Sequence, residues 1–285
     1  MKKTGITTDC VCDLPEKYLK ANGIDVIHFY ITTATGMFKD GYEITSGNIL
    51  EYLENGGKKA ETNAPAPKEY KDFFEKALKQ YDELVHITIS SQTSRSCQNA
   101  MAALELMGES GKKVTIIDSS HLSTGMGYIV MKAVELRDSG KSVSEITEAV
   151  EAMKHRISTT FIVKNADYLY RNGRAGKSLK RLSALFRLHP VLTLKKGKIT
   201  LKKFKIGNYE RSVMRYIEHE LKHSRRIDKR RLFITHTDCT VKKISQIKAE
   251  TEKLCRFDEV IVTKASATVS SNCGPETVGV MFVYK

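Results

Sequence analysis

The stretch LVHITISSQTSRSCQNAMAALELM, residues 84–107, contains the structural unit that decides the fold of this chain. Its first six residues are mostly apolar or β-branched and predict a buried strand. The seven residues that follow, 90–96, are mostly small and hydroxylated. From Ser94 onward, Ala100, Ala103, Leu104 and Met107 recur at helical spacing and predict a helix with one apolar side. The unit is therefore a strand, a hydroxyl-rich loop and a helix.

The same alternation extends through the first half of the chain and changes in the second. Apolar runs at 5–8, 26–32 and 114–117 predict further strands, and 67–81 predicts another helix. Short apolar strands alternating with helices indicate a parallel sheet with helices on both faces. After residue 157 a hairpin pattern, with a turn at Lys196-Gly197, is mixed with α/β units.

We therefore predict a two-domain α/β protein. Residues 1–157 form a domain with a parallel sheet, and residues 158–285 form a mixed α/β domain. No proline-rich linker separates them, so a ligand site is expected at the interface of the two domains.

Composition excludes several protein classes. The chain has 285 residues, of which 41% are hydrophobic and 28% charged, a balance typical of globular proteins. It has no apolar run approaching the roughly 18 residues of a spanning helix, and no signal-peptide pattern follows its first two lysines. We predict a cytoplasmic protein.

The positive charge is concentrated in one segment. Residues 171–231 contain twenty Lys and Arg and four acidic residues, a net charge of +16, whereas the rest of the chain carries −2. Such a segment favours nucleic acid, an anionic membrane surface or an acidic partner protein, or it is simply a solvated face.

Metal binding is not expected. The only closely spaced cysteines, Cys10 and Cys12, are too near each other for a CxxC motif, and free thiols are the favoured interpretation of all six cysteines. His219 and His223 stand at i, i+4 on a predicted helix, but no third ligand accompanies them.

The hydroxyl-rich loops favour anion binding over catalysis. The sequence has no GxSxG elbow, no phosphate-binding P-loop and no GxGxxG motif. Hydroxyls and helix N-termini at the carboxyl ends of parallel strands suit a carboxylate or a phosphate. Arg174, between Gly173 and Gly176, is placed to present a guanidinium to an oxyanion.

Set in order, these stretches resemble the DegV family, the bacterial fatty-acid-binding proteins that serve as the lipid-carrying subunit of fatty acid kinase. The family patterns TDSTxDLP, TSQPS, ISSxLSGTYQSA, DSxxxSxGxG, YLxxGGR, KPIL and HxGPGxxG correspond, in that order, to residues 8–15, 62–66, 89–100, 118–127, 168–174, 189–192 and 272–279. The matches span nearly the whole chain. The last of them leads into and overlaps an apolar run at 278–283 that predicts a closing strand.

The resemblance implies a fatty acid lying in a tunnel, with its carboxylate held near the domain boundary. By position, the carboxylate contacts would be Thr62, Ser94, Arg174 and Asn272. The family is not catalytic by itself and uses no cofactor. A separate fatty acid kinase phosphorylates the bound acid, and the acyl phosphate enters phospholipid synthesis. The basic segment would then suit an acidic face of that kinase or transient contact with an anionic membrane.

This chain departs from the family pattern at three positions. Asn272 replaces the family histidine, so a group able to carry positive charge becomes a neutral amide. Arg95 stands where the family has a glycine, and Glu276 replaces another glycine. Arg95 either supplies the charge that Asn272 lacks or pairs with Glu276 and closes the pocket.

The residues expected to line the acyl tunnel are Phe161, Ile162, Leu182 and Phe186, because a buried chain needs apolar walls. Plain core packing is the alternative for all four.

Three other functions are weighed against a fatty-acid carrier. The first is a DegV-like protein that binds a different acidic, lipid-like ligand. The second is a nucleic-acid-binding protein that uses residues 171–231, which is not favoured because the sequence shows no helix-turn-helix or RNP-like pattern. The third, a small-molecule kinase or hydrolase, lacks a phosphate-cradling loop and a paired base.

Overall fold

The computed structural model describes residues 2–58, 60–174, 176–185, 188–222 and 224–285, except for the side chains of 184, 185 and 224. The chain divides into two compact units. The first comprises 1–30, 62–155 and 196–198, and the second comprises 31–61, 156–195 and 199–285.

Strands and helices alternate through most of the chain. The strands are β1 Thr4–Asp9, β2 Asp25–Ile27, β3 Tyr30–Thr33, β4 Gly36–Lys39, β5 Glu61–Asn63, β6 Glu83–Thr88, β7 Val114–Asp118, β8 Ile157–Ile162, β9 Leu188–Lys195, β10 Lys198–Ile206, β11 Arg231–His236, β12 Glu259–Lys264 and β13 Val278–Val283. The α-helices are α1 Glu16–Ala21, α2 Ser46–Glu54, α3 Pro67–Ala77, α4 Ser96–Met107, α5 Ser123–Asp138, α6 Val143–Lys154, α7 Asp167–Arg171, α8 Lys177–Leu185, α9 Tyr209–Leu221, α10 Val241–Leu254 and α11 Ala267–Cys273.

The first unit is built on a parallel sheet with strand order β2-β1-β6-β7. Side chains alternate between the two faces of β6. Leu84 packs with residues of α3 and α4, while α5 contacts β1 and β6. Because this arrangement covers both faces of the sheet, the predicted fold class is confirmed.

The second unit contains a mixed sheet with strand order β10-β9-β8-β13-β11-β12. Strand β13 is antiparallel to both β8 and β11, and β11 is parallel to β12. One face of the sheet packs against α9 and α10, in a cluster that contains Ile162, Val213 and Ile244. The other face carries Phe161 and Leu192, which pack with Leu169 and Cys273.

Residues 31–61 lie in the second unit, whereas the sequence placed them in the first domain. Their apolar side chains, among them Ile31 and Ile49, form a buried cluster with Ala267. The Ser46 and Ser270 hydroxyls are 2.6 Å apart inside the same unit. The change from first to second unit at residues 155–156 lies beside the predicted position of 157.

The predicted hairpin turn is present between β9 and β10. Lys196 and Gly197 have φ angles of +49° and +78°, the signature of a turn that needs two left-handed residues. Residues 196–198 belong to the first unit, where the Ser90 hydroxyl donates to the Gly197 carbonyl oxygen at 2.8 Å.

Within the described ranges, no helix combines the length and the apolar character needed to cross a bilayer. Those residues also contain no group of three or more His, Cys, Asp and Glu side chains able to hold a metal ion. His223, half of the i, i+4 histidine pair, lies outside the described residues.

His236, the last residue of β11, makes stability depend on pH. Its Nδ1 accepts a bond of 3.2 Å from the Cys239 main-chain N–H, which requires an unprotonated nitrogen. Burial, with the Lys264 charge nearby, lowers the pKa of His236 to about 4, and Asp238 opposes this shift. Since the unfolded chain binds this proton near pH 6.5, we expect stability to fall by on the order of 1–2 kcal/mol as pH drops from 6.5 to 4.

The check is the difference in pH dependence between the natural chain and His236→Asn in chemical denaturation. The asparagine Oδ1 can accept from the Cys239 N–H but does not titrate, so the variant should lose less stability on acidification. An equal loss in both proteins would show that His236 does not contribute.

Candidate functional site

The carboxyl end of the parallel sheet in the first unit is organised around a buried carboxylate. Asp9 is fully buried at the end of β1. It accepts bonds from Tyr70 Oη at 2.7 Å, Ser96 Oγ at 2.5 Å and the Ile89 main-chain N–H at 2.9 Å. Burial, with this carboxylate beside it, raises the pKa of Tyr70 well above its usual value, so the phenol remains a donor. Asp9 thus fixes both ends of the hydroxyl-rich loop at 89–96.

Most hydroxyls of this loop are used by the protein itself. Ser90 donates to Gly197, Ser91 Oγ donates to Asp118 Oδ2 at 2.5 Å, and Thr93 Oγ1 donates to the Ser90 carbonyl at 2.9 Å. Ser94 differs: its Oγ accepts from the Ser96 N–H at 3.2 Å, and among the described residues its own proton has no acceptor. Among the described hydroxyls of this loop, the half-buried Ser94 hydroxyl is therefore the one whose proton remains available to a ligand.

Thr62 also belongs to the first unit. It lies half-buried in β5. The segment after β5 is tied to the first turn of α4 because Asn99 Nδ2 donates to the Pro65 carbonyl at 2.8 Å. The structure therefore connects the segment that carries Thr62 to the helix that follows Ser94.

Two other polar groups at this end have structural roles. Asp13 Oδ2 accepts from Ser123 Oγ at 2.5 Å and so joins the turn after β1 to the start of α5. The Cys12 thiol is buried, and burial raises its pKa to about 12, so it is not ionised at neutral pH. Neither group is expected to act as a nucleophile.

In the second unit, the loop that carries Arg174 is anchored to α11. Asn172 Nδ2 donates to the Tyr168 carbonyl at 3.2 Å and to the Ser271 carbonyl at 3.0 Å. Gly173 is left-handed, with φ of +70°, and the Arg174 N–H donates to the Leu169 carbonyl at 2.7 Å. The Arg174 side chain is exposed. Within this unit, Asn172 thus brings the arginine loop beside the helical turn that contains Asn272.

Asn272 lies in the last turn of α11, Ala267–Cys273. Its Nδ2 donates to the Thr268 carbonyl at 2.8 Å, which orients the amide along α11. Gly274, with φ of +80°, ends the helix, and its carbonyl accepts from Thr237 Oγ1 at 2.6 Å. Sequence inspection missed the helix because its seven residues are mostly small and polar, although Ser266 is a typical N-cap residue.

Asp40 is a second feature that sequence reasoning missed. Its fully buried carboxylate accepts from the Ala267 N–H at 2.9 Å and the Thr268 N–H at 2.8 Å, at the N-terminus of α11. A carboxylate at this end of a helix satisfies N–H groups that lack partners within the helix. No local pattern marks Asp40, because the helix that it caps lies more than 200 residues further along the chain.

Glu276 is engaged by lysines of its own unit. Its Oε1 lies 2.6 Å from Lys243 Nζ, and its Oε2 lies 3.0 Å from Lys164 Nζ. Burial opposes its ionisation, but these two bonds outweigh it and lower the pKa of Glu276. The negative charge that distinguishes this chain from the family pattern is therefore balanced locally. Arg95 is exposed at the start of α4, and its role stays a prediction.

The predicted tail residues are distributed over different surfaces. Phe161 lies in the apolar cluster formed with α7 and α11, whereas Ile162 points to the opposite face of the sheet, towards α9. Their assignment to the walls of an acyl tunnel stays a prediction. Leu182, on α8, is 44% exposed. Phe186 lies outside the described residues.

Part of the basic segment at 171–231 neutralises a buried acid. The Glu220 carboxylate on α9 lies 2.7 Å from Lys202 Nζ and 3.6 Å from Lys203 Nζ. Burial lowers the pKa of Lys203 to about 8 even though Glu220 opposes this shift. These two lysines on β10 therefore have an internal electrostatic role.

The strand order, the hydroxyl-rich strand ends and the arginine loop define an α/β protein of two units. The family model described as "Uncharacterised protein, DegV family" matches residues 3–285, and the chain belongs to the DegV family. The chain is 27% identical, over the full length of both proteins, to a DegV domain-containing protein of Caldanaerobacter subterraneus subsp. tengcongensis. A Staphylococcus aureus strain COL relative is 31% identical over 201 residues, which are 70% of this chain and 71% of that protein.

Solved structures show the same fold. A DegV family protein from Thermus thermophilus, described with fatty acid binding, superposes with a TM-score of 0.89 at 25% identity, covering 99% of this chain and 100% of the other. A stearic-acid-binding protein from Eubacterium ventriosum gives a TM-score of 0.86 at 21% identity, covering 100% and 99%. The second likeness bears on the fold alone.

Proposed function

We propose that this chain binds a long-chain fatty acid and presents its carboxylate to a separate fatty acid kinase, without catalysing a reaction itself. The observation that carries the proposal is the full-length likeness to the Thermus thermophilus protein with fatty acid binding. Thr62, Ser94, Arg174 and Asn272 are proposed to bind the carboxylate.

The local chemistry of these groups supports the proposal. A carboxylate accepts hydrogen bonds but donates none, so it needs donors whose protons are not already used. The Ser94 hydroxyl meets this condition, since among the described residues its proton has no acceptor. The exposed Arg174 guanidinium offers a charge-assisted bond, which is worth roughly 1.5–3 kcal/mol.

The first test is native mass spectrometry of the protein purified from bacteria, followed by denaturing extraction of any bound molecule. A fatty acid at one equivalent per chain is expected. Recovery of a different acidic amphiphile would identify that molecule, and not a fatty acid, as the ligand. A protein that is empty and takes up neither oleate nor palmitate would contradict the proposal.

The kinase step has its own test. The lipid-loaded protein is mixed with a fatty acid kinase catalytic subunit and ATP, and the acyl phosphate is trapped with hydroxylamine as a hydroxamate. Product should require both proteins, and it should fall in Arg174→Gln. Hydroxamate formed by this chain without the kinase would contradict the non-catalytic role.

Contact between the basic segment and anionic membranes is proposed as transient. Binding to vesicles that contain phosphatidylglycerol should weaken steeply with salt, because lysine and arginine attract anionic lipid through screened charge. Salt-independent binding, or equal binding to neutral vesicles, would contradict this contact.

Restoring the family histidine should strengthen head-group binding. In Asn272→His, an imidazolium can replace a neutral amide beside the carboxylate, and the difference between charge-assisted and neutral hydrogen bonds predicts roughly tenfold tighter fatty acid binding. The measurement is titration with oleate below pH 6.5, compared with the natural chain.

Charge, and not side-chain shape, should account for this gain. The advantage of Asn272→His should shrink as pH rises through about 6.5, where imidazole loses its proton. Asn272→Gln, which stays neutral, should show no such pH dependence. A pH-independent gain in the histidine variant would rule out the electrostatic explanation.

A further inference from the structure

A lysine lies beside a buried thiol in the second unit, apart from the proposed ligand-binding residues. Lys229 Nζ lies 2.5 Å from Cys255 Sγ. Cys255 directly follows α10, is 6% exposed, and packs in the apolar cluster that contains Ile247 and Phe257. A buried cysteine with apolar neighbours alone behaves as a small hydrophobic side chain. Here the amine provides a reaction partner for any oxidised form of the sulfur.

Contacts of its main chain and of its amine hold the lysine in place. Its main-chain carbonyl accepts from the Asp258 N–H at 2.8 Å, and its Nζ lies 5.0 Å from the centre of the Phe257 ring. Phe257 and Asp258 follow Cys255 closely in the chain, so one short segment both carries the thiol and positions the amine. The neighbouring acid, Asp228, is bound to Arg230 at 2.7 Å. Lys229 is itself half-buried, so the lysine side of the pair is partly open to solvent.

We propose that Cys255 and Lys229 form a covalent modification site, at which hydrogen peroxide joins the two side chains through one oxygen atom as an N–O–S bridge. One peroxide first oxidises the thiol to a sulfenic acid and is reduced to water. The lysine gives one proton to solvent and reacts as the neutral amine. A second peroxide then takes one hydrogen from the sulfenic O–H and one from the amine. Its O–O bond breaks, the nitrogen–oxygen bond forms and two waters leave.

The separation of the two atoms favours an oxygen bridge over a direct bond. At 2.5 Å, the nitrogen and the sulfur are farther apart than in a sulfur–nitrogen single bond, and one bonded oxygen atom spans this gap. The bridge also needs little rearrangement, because both side chains are already fixed by their neighbours. This inference does not depend on fatty acid binding.

The test is peptide mapping after oxidation. The full chain is treated with hydrogen peroxide, quenched with catalase, alkylated and digested with trypsin without reductant. Peptide 254–256 should appear joined to peptide 227–230, because bridged Lys229 is no longer a cleavage site. The joined mass should equal the two peptides plus one oxygen atom minus two hydrogen atoms. Dithiothreitol should separate them.

Matched variants identify the two atoms. Lys229→Arg keeps the positive charge and Cys255→Ser keeps the side-chain size, and neither should give the joined peptide. Cys239, in peptide 232–242, is a half-buried thiol that serves as an internal control. Protein unfolded in urea should also give no joined peptide, since the pairing needs the fold.

Three results would overturn the proposal. Cys255 could proceed to sulfinic or sulfonic acid while Lys229 is still cleaved normally. Joined peptides that have lost two hydrogens without gaining oxygen would indicate a direct sulfur–nitrogen bond instead. A joined peptide that persists in Lys229→Arg would assign the link to another residue.

Discussion

Replacing Asp9 with alanine is expected to lower the free energy of unfolding by about 3–5 kcal/mol, a change of the size seen when a buried charge network is broken. The substitution leaves the Tyr70 hydroxyl, the Ser96 hydroxyl and the Ile89 N–H without their shared acceptor inside the first unit. It also frees the loop that carries Ser94, so fatty acid binding should weaken in the same variant. Urea unfolding and oleate titration measure the two effects.

Asp9→Asn keeps the shape of the side chain and removes its negative charge. The asparagine Oδ1 can still accept from the Ile89 N–H, and its Nδ2 can donate to Tyr70 Oη, which can donate to Ser96 Oγ at 2.8 Å. This variant should therefore lose less stability than the alanine variant. Asp138→Ala, which removes a carboxylate that is 55% exposed, should change stability by no more than about 0.5 kcal/mol. If Asp9→Ala were as mild as Asp138→Ala, the network would not anchor the loop.

Periodicity in the sequence predicted the helices and strands whose apolar side chains pack in the core. The strand expected at 114–117 is β7, Val114–Asp118, and the closing strand expected at 278–283 has those bounds in the structure. Both are long enough, or apolar enough, for spacing alone to define them. The helix expected from Ser94 begins at Ser96, because Ser94 is part of the preceding loop.

Contacts between distant parts of the chain could not be predicted from local sequence patterns. Residues 31–61 read as part of the first domain because nothing nearby indicates that Asp40 caps α11 or that Ser46 meets Ser270. Similarly, residues 88–96 contain six hydroxyl-bearing side chains that look alike in sequence. Their hydrogen bonds distinguish Ser94 from Ser90 and Ser91, whose partners, Gly197 and Asp118, come from distant parts of the chain.

Gly274→Ala is expected to destabilise the second unit by about 3–5 kcal/mol. Gly274 has φ of +80° and ψ of 175°, a region almost restricted to glycine, and forcing another residue there costs about 1–3 kcal/mol. An added Cβ would also lie 2.6 Å from the Tyr168 ring, so the ring or the helix end must move. Since Asn272 lies two residues before Gly274, the movement should also lower fatty acid affinity. Urea unfolding and oleate titration report the two losses.

Gly173→Ala is the matched control because it separates backbone strain from the steric clash. Gly173 has φ of +70°, but nothing lies within 4 Å of the position its Cβ would take, so only the cost of the left-handed conformation, about 1 kcal/mol, is expected. Adding Tyr168→Ala to Gly274→Ala should remove the clash and leave the strain, so the two substitutions should not be additive. Additive effects in that cycle would place the cost of Gly274→Ala in the backbone alone.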